Sequence, residues 1–309
     1  MLEGPYGLVF VALGATLGGL LLVAFALAAV YVLVSFSHWI VDRRLRGVEP
    51  GLPSREHLDA LTATFTGELI SAGTFFALHP FGSIDPPLPP EKLVRQGRPL
   101  LLVHGFMQAR SNFVLLGPRL AGWGLGPIFT VNLRTMDGDL EHHARVLSER
   151  IDQIRRATGA RQIDCVAHSM GGLVARLAEA GRKEPRIRRL VTLGTPHHGT
   201  QVALVALGPA ARDMRPGSEV IRGLPPPPPG QLVSISSTHD FMVIPPESAR
   251  VAPEGRDVVV RHVGHLALLT DHEVSLEVVR ALGEDILLRR TSDLFEPVEA
   301  REPELAASP

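Results

Sequence analysis

The stretch Ala167-His168-Ser169-Met170-Gly171-Gly172 decides the fold of this chain. An apolar run from Ile163 to Ala167 comes directly before it, and a helix-compatible run from Leu173 to Ala178 follows. This order predicts a strand, a sharp turn and a helix. In such a turn a serine adopts strained backbone torsions that lift its hydroxyl clear of the sheet, and small neighbours avoid clashes. The stretch therefore predicts a nucleophile elbow at Ser169, with Ala167 where the motif usually has glycine. A serine at an ordinary helix N-cap is the alternative.

Length and composition allow one sizeable α/β domain with additional segments. The chain has 309 residues, of which 45% are hydrophobic, enough to build a core. The formal net charge is −1, and the sequence has no basic stripe with interleaved aromatic residues, so we predict no nucleic-acid partner. The single cysteine, Cys165, lies in the strand before the turn. We expect it to be a small buried hydrophobic residue rather than a thiol nucleophile.

A long uncharged segment lies near the N-terminus. Residues 4–37 contain no Asp, Glu, Lys or Arg, and this run exceeds the roughly 20 apolar residues that a helix needs to cross a bilayer. We predict a single transmembrane helix over about residues 8–36, and hence a membrane bilayer as a partner. Arg43, Arg44 and Arg46 follow the span. The positive-inside rule then places the C-terminal part of the chain on the cytoplasmic side.

Two alternatives to a transmembrane helix remain open for this segment. The first is a cleaved secretory signal with Ala24-Phe25-Ala26 as the cleavage site, although such signals have a basic start and a shorter apolar core. The second is a buried hairpin of two core helices. In the transmembrane interpretation, Trp39 would be an anchor at the membrane interface.

A second, amphipathic helix is predicted after Ser54, which is suited to cap it. Its apolar positions recur at steps of three and four residues: Leu58, Leu61, Phe65, Leu69, Ala72 and Phe76. We expect this face to pack on the main domain, with the lipid headgroup layer as the alternative. The proline-rich residues 85–90 predict a stiff linker.

These segments divide the chain into four parts. We assign residues 1–42 to the membrane anchor and its flank, and 43–92 to the amphipathic helix and linker. Residues 93–288 form the main domain. Within it we predict a lid at 199–230, because an apolar helix at 202–207 is followed by irregular, proline-rich chain; a helix that simply covers the sheet is the alternative. Residues 289–309, rich in glutamate, proline and alanine, predict a disordered tail.

The main domain alternates strand-like and helical runs. Six apolar runs predict strands: Pro99–Val103, Pro127–Val131, Ile163–Ala167, Leu190–Leu193, Leu232–Ile235 and Val258–Val263. Strands separated by helices favour right-handed crossovers, so the fold class is α/β with a mainly parallel sheet flanked by helices. In such sheets the chemistry gathers beyond the carboxyl ends of the strands.

Polar residues follow several of these runs. His104 and Gly105 follow the first, Ser169 follows the third, and Asp240 and His265 follow the last two. The order along the chain is serine, aspartate, histidine, which is typical of the α/β-hydrolases. A serine hydroxyl needs a base to accept its proton, and a carboxylate holds that base in the correct tautomer.

The chain resembles bacterial lipases and esterases of the α/β-hydrolase superfamily over about residues 93–283. Besides the elbow, which is similar to that of Bacillus-type lipases, the resemblance rests on Val103-His104-Gly105-Phe106 and on Gly194-Thr195-Pro196-His197-His198-Gly199. It implies a triacylglycerol-lipase-like serine hydrolase that cleaves carboxylic esters, with lipid esters as substrates. It also implies an oxyanion hole formed by the backbone N–H groups of Phe106 and Met170. From their positions we expect substrate contacts by His104, Gly105 and His168, with His104 also shaping the oxyanion loop by hydrogen bonding.

Several competing assignments stay open from the sequence. Asp213, Asp257 and Asp271 compete with Asp240 for the acid, and His239, His262 and His272 compete with His265 for the base. The pairs His142-His143 and His197-His198 do not converge on one ion by spacing alone, so we predict no metal and no cofactor. Acyl transfer, deacylation of a lipid-linked glycan, and a catalytically inactive binding protein are the alternative functions. The sequence does not determine the oligomeric state.

Overall fold

The computed structural model describes residues 7–47, 55–82, 97–227 and 230–283. The predicted linker at residues 85–90 and the predicted tail at 289–309 lie outside these described residues.

A six-stranded parallel sheet forms the centre of the main domain and confirms the predicted fold class. The strands are β1 (Leu100–Val103), β2 (Ile128–Val131), β3 (Ile163–His168), β4 (Ile187–Leu193), β5 (Leu232–Ser237) and β6 (Arg256–Val260). Their order in the sheet is β2-β1-β3-β4-β5-β6. All neighbouring pairs are parallel, with Val103 beside Ala167 in the β1–β3 register. The carboxyl ends of β1 and β3 therefore meet at one edge, as the prediction requires.

The strand boundaries differ from the prediction by one to three residues, most of all at the start of β4 and the end of β6. Strand β4 begins at Ile187 rather than Leu190, and β6 ends at Val260 rather than Val263. The backbone of His262 has a φ of 59°, which a strand cannot contain. The last apolar run is therefore a strand followed by a turn that leads to His265.

Helices cover both faces of the sheet. The helices are α1 (Gly7–Leu45), α2 (Arg55–Leu78), α3 (Leu116–Gly122), α4 (Leu140–Thr158), α5 (Met170–Glu179), α6 (Pro209–Asp213), α7 (Glu219–Gly223) and α8 (His272–Leu282). Successive residues of β1 belong to opposite faces, because Leu101 and Val103 pack in the core under α4 and α5, whereas Leu100 and Leu102 pack in the core with α3 and α8. Side chains of α1 and α2 join the second core.

The N-terminal part of the chain forms two long apolar helices. Helix α1 continues past the predicted end at residue 36 and reaches Leu45. The segments Leu21–Leu45 and Leu58–Gly82 are each long and apolar enough to cross a membrane. The prediction named only the first of them.

The C-terminal half of α1 packs on the main domain. The Trp39 side chain is 1% exposed and contacts Phe241, with ring centroids 5.6 Å apart. The Asp42 carboxylate accepts a hydrogen bond of 3.3 Å from the Gln201 side chain, and Arg46 forms an ion pair with Glu247. The expectation that Trp39 is an interfacial anchor is wrong, because the domain buries its ring.

Helix α2 packs on the same domain, as expected. Ala72 and Phe75 are buried in one apolar cluster with Leu266 and Leu268, which follow the last strand. The default prediction of packing on the domain is therefore confirmed, and α1 and α2 together lie beside the carboxyl edge of the sheet.

Replacing Trp39 by alanine tests the docking of α1. We expect the Trp39→Ala substitution to lower the free energy of unfolding by about 3–5 kcal/mol, since a buried aromatic side chain is removed and a cavity remains. The measurement is chemical unfolding of the full chain in detergent micelles. Val30→Ala, at a side chain that is 61% exposed on the same helix, is the matched control and should cost much less. Equal losses for the two variants would contradict the observed docking.

Candidate active site

The backbone turn at Ser169 carries the predicted nucleophile. Its torsions are φ 54° and ψ −126°, a region that non-glycine residues rarely occupy and that costs about 1–3 kcal/mol. Two hydrogen bonds of 2.8 Å hold the turn: the Ser169 N–H donates to the Leu193 carbonyl, and the Thr195 hydroxyl donates to the Ser169 carbonyl. The end of β4 and the loop after it therefore stabilise the strained torsions.

Glycine is required directly after this turn. A Cβ atom on Gly171 would lie 2.7 Å from the carbonyl oxygens of both Val103 and His104. Only glycine allows the first turn of α5 to approach the end of β1 this closely. This approach brings the N-terminus of α5 beside the loop that contains Phe106.

His265 and Asp240 form a buried hydrogen-bonded pair. The His265 Nδ1 atom lies 2.8 Å from Asp240 Oδ2 and 3.0 Å from Oδ1. The Asp240 carboxylate also accepts hydrogen bonds of 2.8 Å from the backbone N–H groups of Met242 and Val243. The carboxylate is thus fixed on one side by the backbone and orients the imidazole on the other.

The surroundings of His265 make it a stronger base. Burial lowers its pKa, but the negative charge of Asp240 and the hydrogen bond to it, together with the charge of Glu68, outweigh burial and leave the pKa above its ordinary value. A raised pKa favours proton transfer from a donor to Nε2.

His104 stays neutral and shapes the loop after β1. Its Nε2 accepts a hydrogen bond of 2.9 Å from the Leu133 N–H, so its Nδ1 carries the proton and donates to the Gly105 carbonyl at 2.8 Å. Burial lowers the His104 pKa to about 4. A Cβ atom on Gly105 would lie 2.8 Å from Ser169 Cβ, so glycine allows this loop to lie against the nucleophile.

His168 lies beside His265, with ring centroids 4.6 Å apart. Its Nδ1 is 3.0 Å from Gln108 Oε1, and its Nε2 is 3.0 Å from the His265 carbonyl oxygen. Burial, and then the charge of His265, lower the pKa of His168 well below its ordinary value. His168 is therefore a neutral neighbour that contacts the backbone of the predicted base.

Ser169 and His265 line one cavity, which has a volume of about 240 Å³. We call it the Ser169 cavity. Its wall is mostly apolar. Besides Ser169 and His265, it is lined by Tyr31, Ala72, Phe75, Phe76, His79, Phe106, Met107, Gln108, Asn112, Pro196, Thr200, Val202, Ala203, Ala206, Met214, Met242, Val243 and Leu266.

Part of this wall was not predicted from the sequence. Tyr31 comes from α1, and Ala72, Phe75 and Phe76 come from α2, which were both placed outside the main domain. The predicted apolar face of α2 already contained Ala72 and Phe76, so the signal existed, but it did not indicate which part of the domain the face covers.

The competing aspartates have other roles in the structure. Asp213 accepts a hydrogen bond from the Leu140 N–H, Asp257 accepts one from the Val251 N–H, and Asp271 caps α8. Each of these three carboxylates is engaged by backbone groups away from His265.

The competing histidines also lie apart from the Ser169 cavity. The His239 and His262 rings pack on each other with centroids 4.5 Å apart, and His272 begins α8.

In the part of the chain that the structure describes, the histidine pairs of the sequence do not form a metal site. His197 lies between Arg176 and Thr192, at 3.1 Å from each. Within the described ranges, no three His, Cys, Asp or Glu side chains gather in the way a metal site requires.

The predicted lid segment contributes side chains to the cavity. The apolar helix expected at 202–207 is a single 3₁₀ turn, Gln201–Leu204, and Gly208, whose φ is 103°, separates this segment from α6. Val202 and Ala203 line the cavity, while Leu204, Val205 and Leu207 are exposed beside it. Movement of this segment stays a prediction.

The pairing of His265 with Asp240 gives a titration test. We expect Asp240→Asn to lower the His265 pKa below its ordinary value, since the charge that opposes burial is lost. The measurement is an NMR titration of the histidine imidazoles in the full chain. Asp139→Asn is the matched control and should leave the His265 titration unchanged. It removes a carboxylate at the N-cap of α4, where asparagine caps the helix as well as aspartate does. An unchanged His265 titration in Asp240→Asn would contradict the pairing.

Comparisons with known proteins agree with this architecture. A family model described as a domain of unknown function, DUF7379, matches residues 74–206. A triacylglycerol lipase from Pseudomonas fragi is 31% identical over 108 residues, which are 34% of this chain and 36% of that lipase. The chain thus matches about a third of the length of this curated relative.

Several solved structures share the fold. The mature lipase of Bacillus licheniformis aligns with a TM-score of 0.50 and 16% identity, over 64% of this chain and 95% of that one. Lipase B of Aspergillus fumigatus gives 0.51 and 18%, over 60% and 52% of the two chains. A phospholipase of Legionella pneumophila gives 0.51 and 13%, over 64% and 63%. The parallel sheet and these neighbours show that the chain has the α/β-hydrolase fold.

Proposed function

We propose that this protein is a serine hydrolase that cleaves carboxylic esters of lipids through a covalent acyl-enzyme. One observation carries the proposal: Ser169 and His265 line the same apolar cavity, and the Asp240 carboxylate binds Nδ1 of His265, which leaves Nε2 as the ring nitrogen that can accept the serine proton. This is the arrangement that a serine, histidine and aspartate need for nucleophilic catalysis.

In the first half of the reaction, the Ser169 hydroxyl oxygen attacks the ester carbonyl carbon while His265 Nε2 accepts the hydroxyl proton. The tetrahedral intermediate then collapses, and the leaving alkoxide takes that proton from His265. The alcohol departs and the acyl group stays on Ser169. Asp240 stabilises the imidazolium that exists between the two proton transfers.

In the second half, water attacks the acyl-enzyme while His265 accepts a proton from it. Collapse of this second intermediate releases the carboxylic acid, and His265 returns the proton to the Ser169 oxygen. The enzyme ends in its starting state, so atoms and protons balance.

The proposed oxyanion hole consists of the backbone N–H groups of Phe106 and Met170. Met170 begins α5, and an N–H in the first turn of a helix has no acceptor within that helix. Phe106 lies in the loop that Gly105 holds against Ser169. Such preset donors stabilise the negative charge that develops on the carbonyl oxygen.

The cavity wall supports an apolar acyl chain as the group that binds. Phe75, Phe76 and Phe106 contribute aromatic surface to it, and each buried methylene of a ligand gains about 0.8 kcal/mol in such surroundings. The proteins with which the chain aligns include a triacylglycerol lipase and a phospholipase. We extend their substrate class, lipid esters, to this chain as part of the proposal.

A membrane location fits the same substrate class. Helices α1 and α2 are both apolar enough to span a bilayer, and exposed apolar side chains lie at the cavity, among them Met107, which lines it, and Leu207, which follows the lining residue Ala206. We propose that the helices hold the cavity at the bilayer, where its substrates are concentrated. Arg43 and Arg44 lie at the end of α1. By the positive-inside rule, they support a cytoplasmic location for the chain that follows α1.

Removal of the nucleophile or the base tests the reaction. We expect Ser169→Ala and His265→Ala each to lower the turnover of p-nitrophenyl esters by at least about 10⁴-fold. A fluorophosphonate probe should label the wild-type chain and not Ser169→Ala. Ser148→Ala, at a residue of α4 outside the cavity lining, is the control and should keep full activity. A folded wild-type chain that neither reacts with the probe nor hydrolyses esters would instead support a binding protein on this fold.

The position of the acyl chain is testable within an ester series from acetate to palmitate. Ala206 lines the cavity and is partly exposed, so a larger side chain there narrows the cavity without filling a closed core. We expect Ala206→Phe to lower kcat/KM for the palmitate ester about tenfold or more, and to leave the acetate ester within about twofold, because it displaces two or more buried methylenes. Leu207→Phe, at a neighbouring side chain that is 79% exposed, should change neither value. Equal losses for both esters in Ala206→Phe would contradict this placement.

A further inference from the structure

A buried carboxylate on α2 binds the backbone directly after the predicted base. Glu68 is 0% exposed. Its Oε1 and Oε2 atoms accept hydrogen bonds of 2.9 Å from the Leu266 N–H, and Oε2 accepts another of 2.9 Å from the Ala267 N–H. The Tyr31 hydroxyl of α1 donates to Oε1 at 3.3 Å. In each of these hydrogen bonds the carboxylate is the acceptor, which matches the acceptor-only character of its ionised form.

Gly264, on the other side of His265, also lies against the Glu68 carboxylate. A Cβ atom on Gly264 would overlap the Glu68 carboxylate. The residues on both sides of His265 are therefore fitted to Glu68, although it lies 198 positions from Leu266 in sequence. Removing a carboxylate from water is costly unless hydrogen bonds replace the lost hydration, so the backbone donors and the carboxylate depend on each other.

We propose that Glu68 is a positioning residue for His265, through which the N-terminal helices take part in the reaction; this rests on the proposed function. Glu68 acts in two ways. It holds the backbone of the His265 loop by two N–H groups, and it places a second negative charge near the imidazole, in addition to that of Asp240.

The groups that face His265 come from four elements. Asp240 follows β5 and binds Nδ1, Glu68 comes from α2, and the His168 ring at the end of β3 lies 4.6 Å away. Tyr31 of α1 reaches the site through its bond to Glu68. The two carboxylates both favour the protonated imidazole, whereas a protonated His168 would oppose it. Loss of the Glu68 charge therefore makes His265 easier to deprotonate.

The substitution that separates position from charge is Glu68→Gln. Glutamine has nearly the same shape, but it is neutral, and its amide nitrogen would face a backbone donor. The experiment measures the rate constant for phosphonylation of Ser169 by a fluorophosphonate against pH, with the full chain in detergent micelles. This rate depends on deprotonated His265, so its acidic limb reports the His265 pKa.

We expect Glu68→Gln to shift this limb by about 0.5 pH unit or more to lower pH. We also expect the plateau rate to fall about tenfold or more, because small displacements of a catalytic group are costly. Glu68→Asp keeps the charge, so its limb should stay near that of the wild type while its plateau falls; this variant also serves if Glu68→Gln does not fold. Glu247→Gln, which removes a surface carboxylate paired with Arg46, is the control and should change neither quantity.

The outcomes distinguish this inference from the proposed function. If the wild-type chain is labelled and the pH profile of Glu68→Gln superimposes on the wild-type profile, the inference is overturned and the proposed function still stands. A Glu68→Gln variant with a lower plateau rate but an unshifted acidic limb also overturns the inference, since Glu68 would then have only a structural role. A folded wild-type chain that is not labelled at Ser169 overturns the proposed function, and this inference with it.

Discussion

Strand β3 passes into helix α5 through one residue, Ser169, whose backbone is held at φ 54° and ψ −126°. These torsions are unfavourable for a residue with a side chain, so the surrounding structure must over-determine them. Leu193 and Thr195 do this with hydrogen bonds from the neighbouring strand and its loop. Gly171 then lets α5 approach the end of β1. The positions of the cavity and of the loop with Phe106 follow from this single turn.

The imidazole of His265 is held from two directions that differ in origin. Asp240 belongs to the loop after β5 of the main domain, and its carboxylate is fixed by two backbone N–H groups. Glu68 belongs to α2, outside the sheet, and binds the backbone after His265. The same two N-terminal helices also contribute Tyr31, Phe75 and Phe76 to the wall of the Ser169 cavity. The N-terminal helices thus belong to the candidate site as well as to the proposed membrane attachment.

The sheet was predictable because its inner strands are buried along most of their length and therefore appear in the sequence as apolar runs. The positions of Ser169, Asp240 and His265 were predictable because polar residues follow strands at the carboxyl edge. The role of the N-terminal helices was not, since contacts between Glu68 and Leu266 span 198 positions and leave no local pattern. A partial signal exists, because Glu68 interrupts the apolar face of α2 between Phe65 and Ala72. The burial of Trp39 was missed because an apolar helix end has the same composition at a membrane interface and in a protein core.

The most direct measurement is a structure of the full chain in lipid nanodiscs after reaction with a phosphonate that carries a long alkyl chain. The account predicts phosphorus bonded to the Ser169 oxygen, its oxygen directed at the N–H groups of Phe106 and Met170, and the alkyl chain between the domain and helices α1 and α2, against Phe75 and Phe76. Phosphorus on another residue would contradict the assignment of the nucleophile. An alkyl chain that leaves the site without contacting α1 or α2 would contradict the proposed part of these helices in binding the substrate.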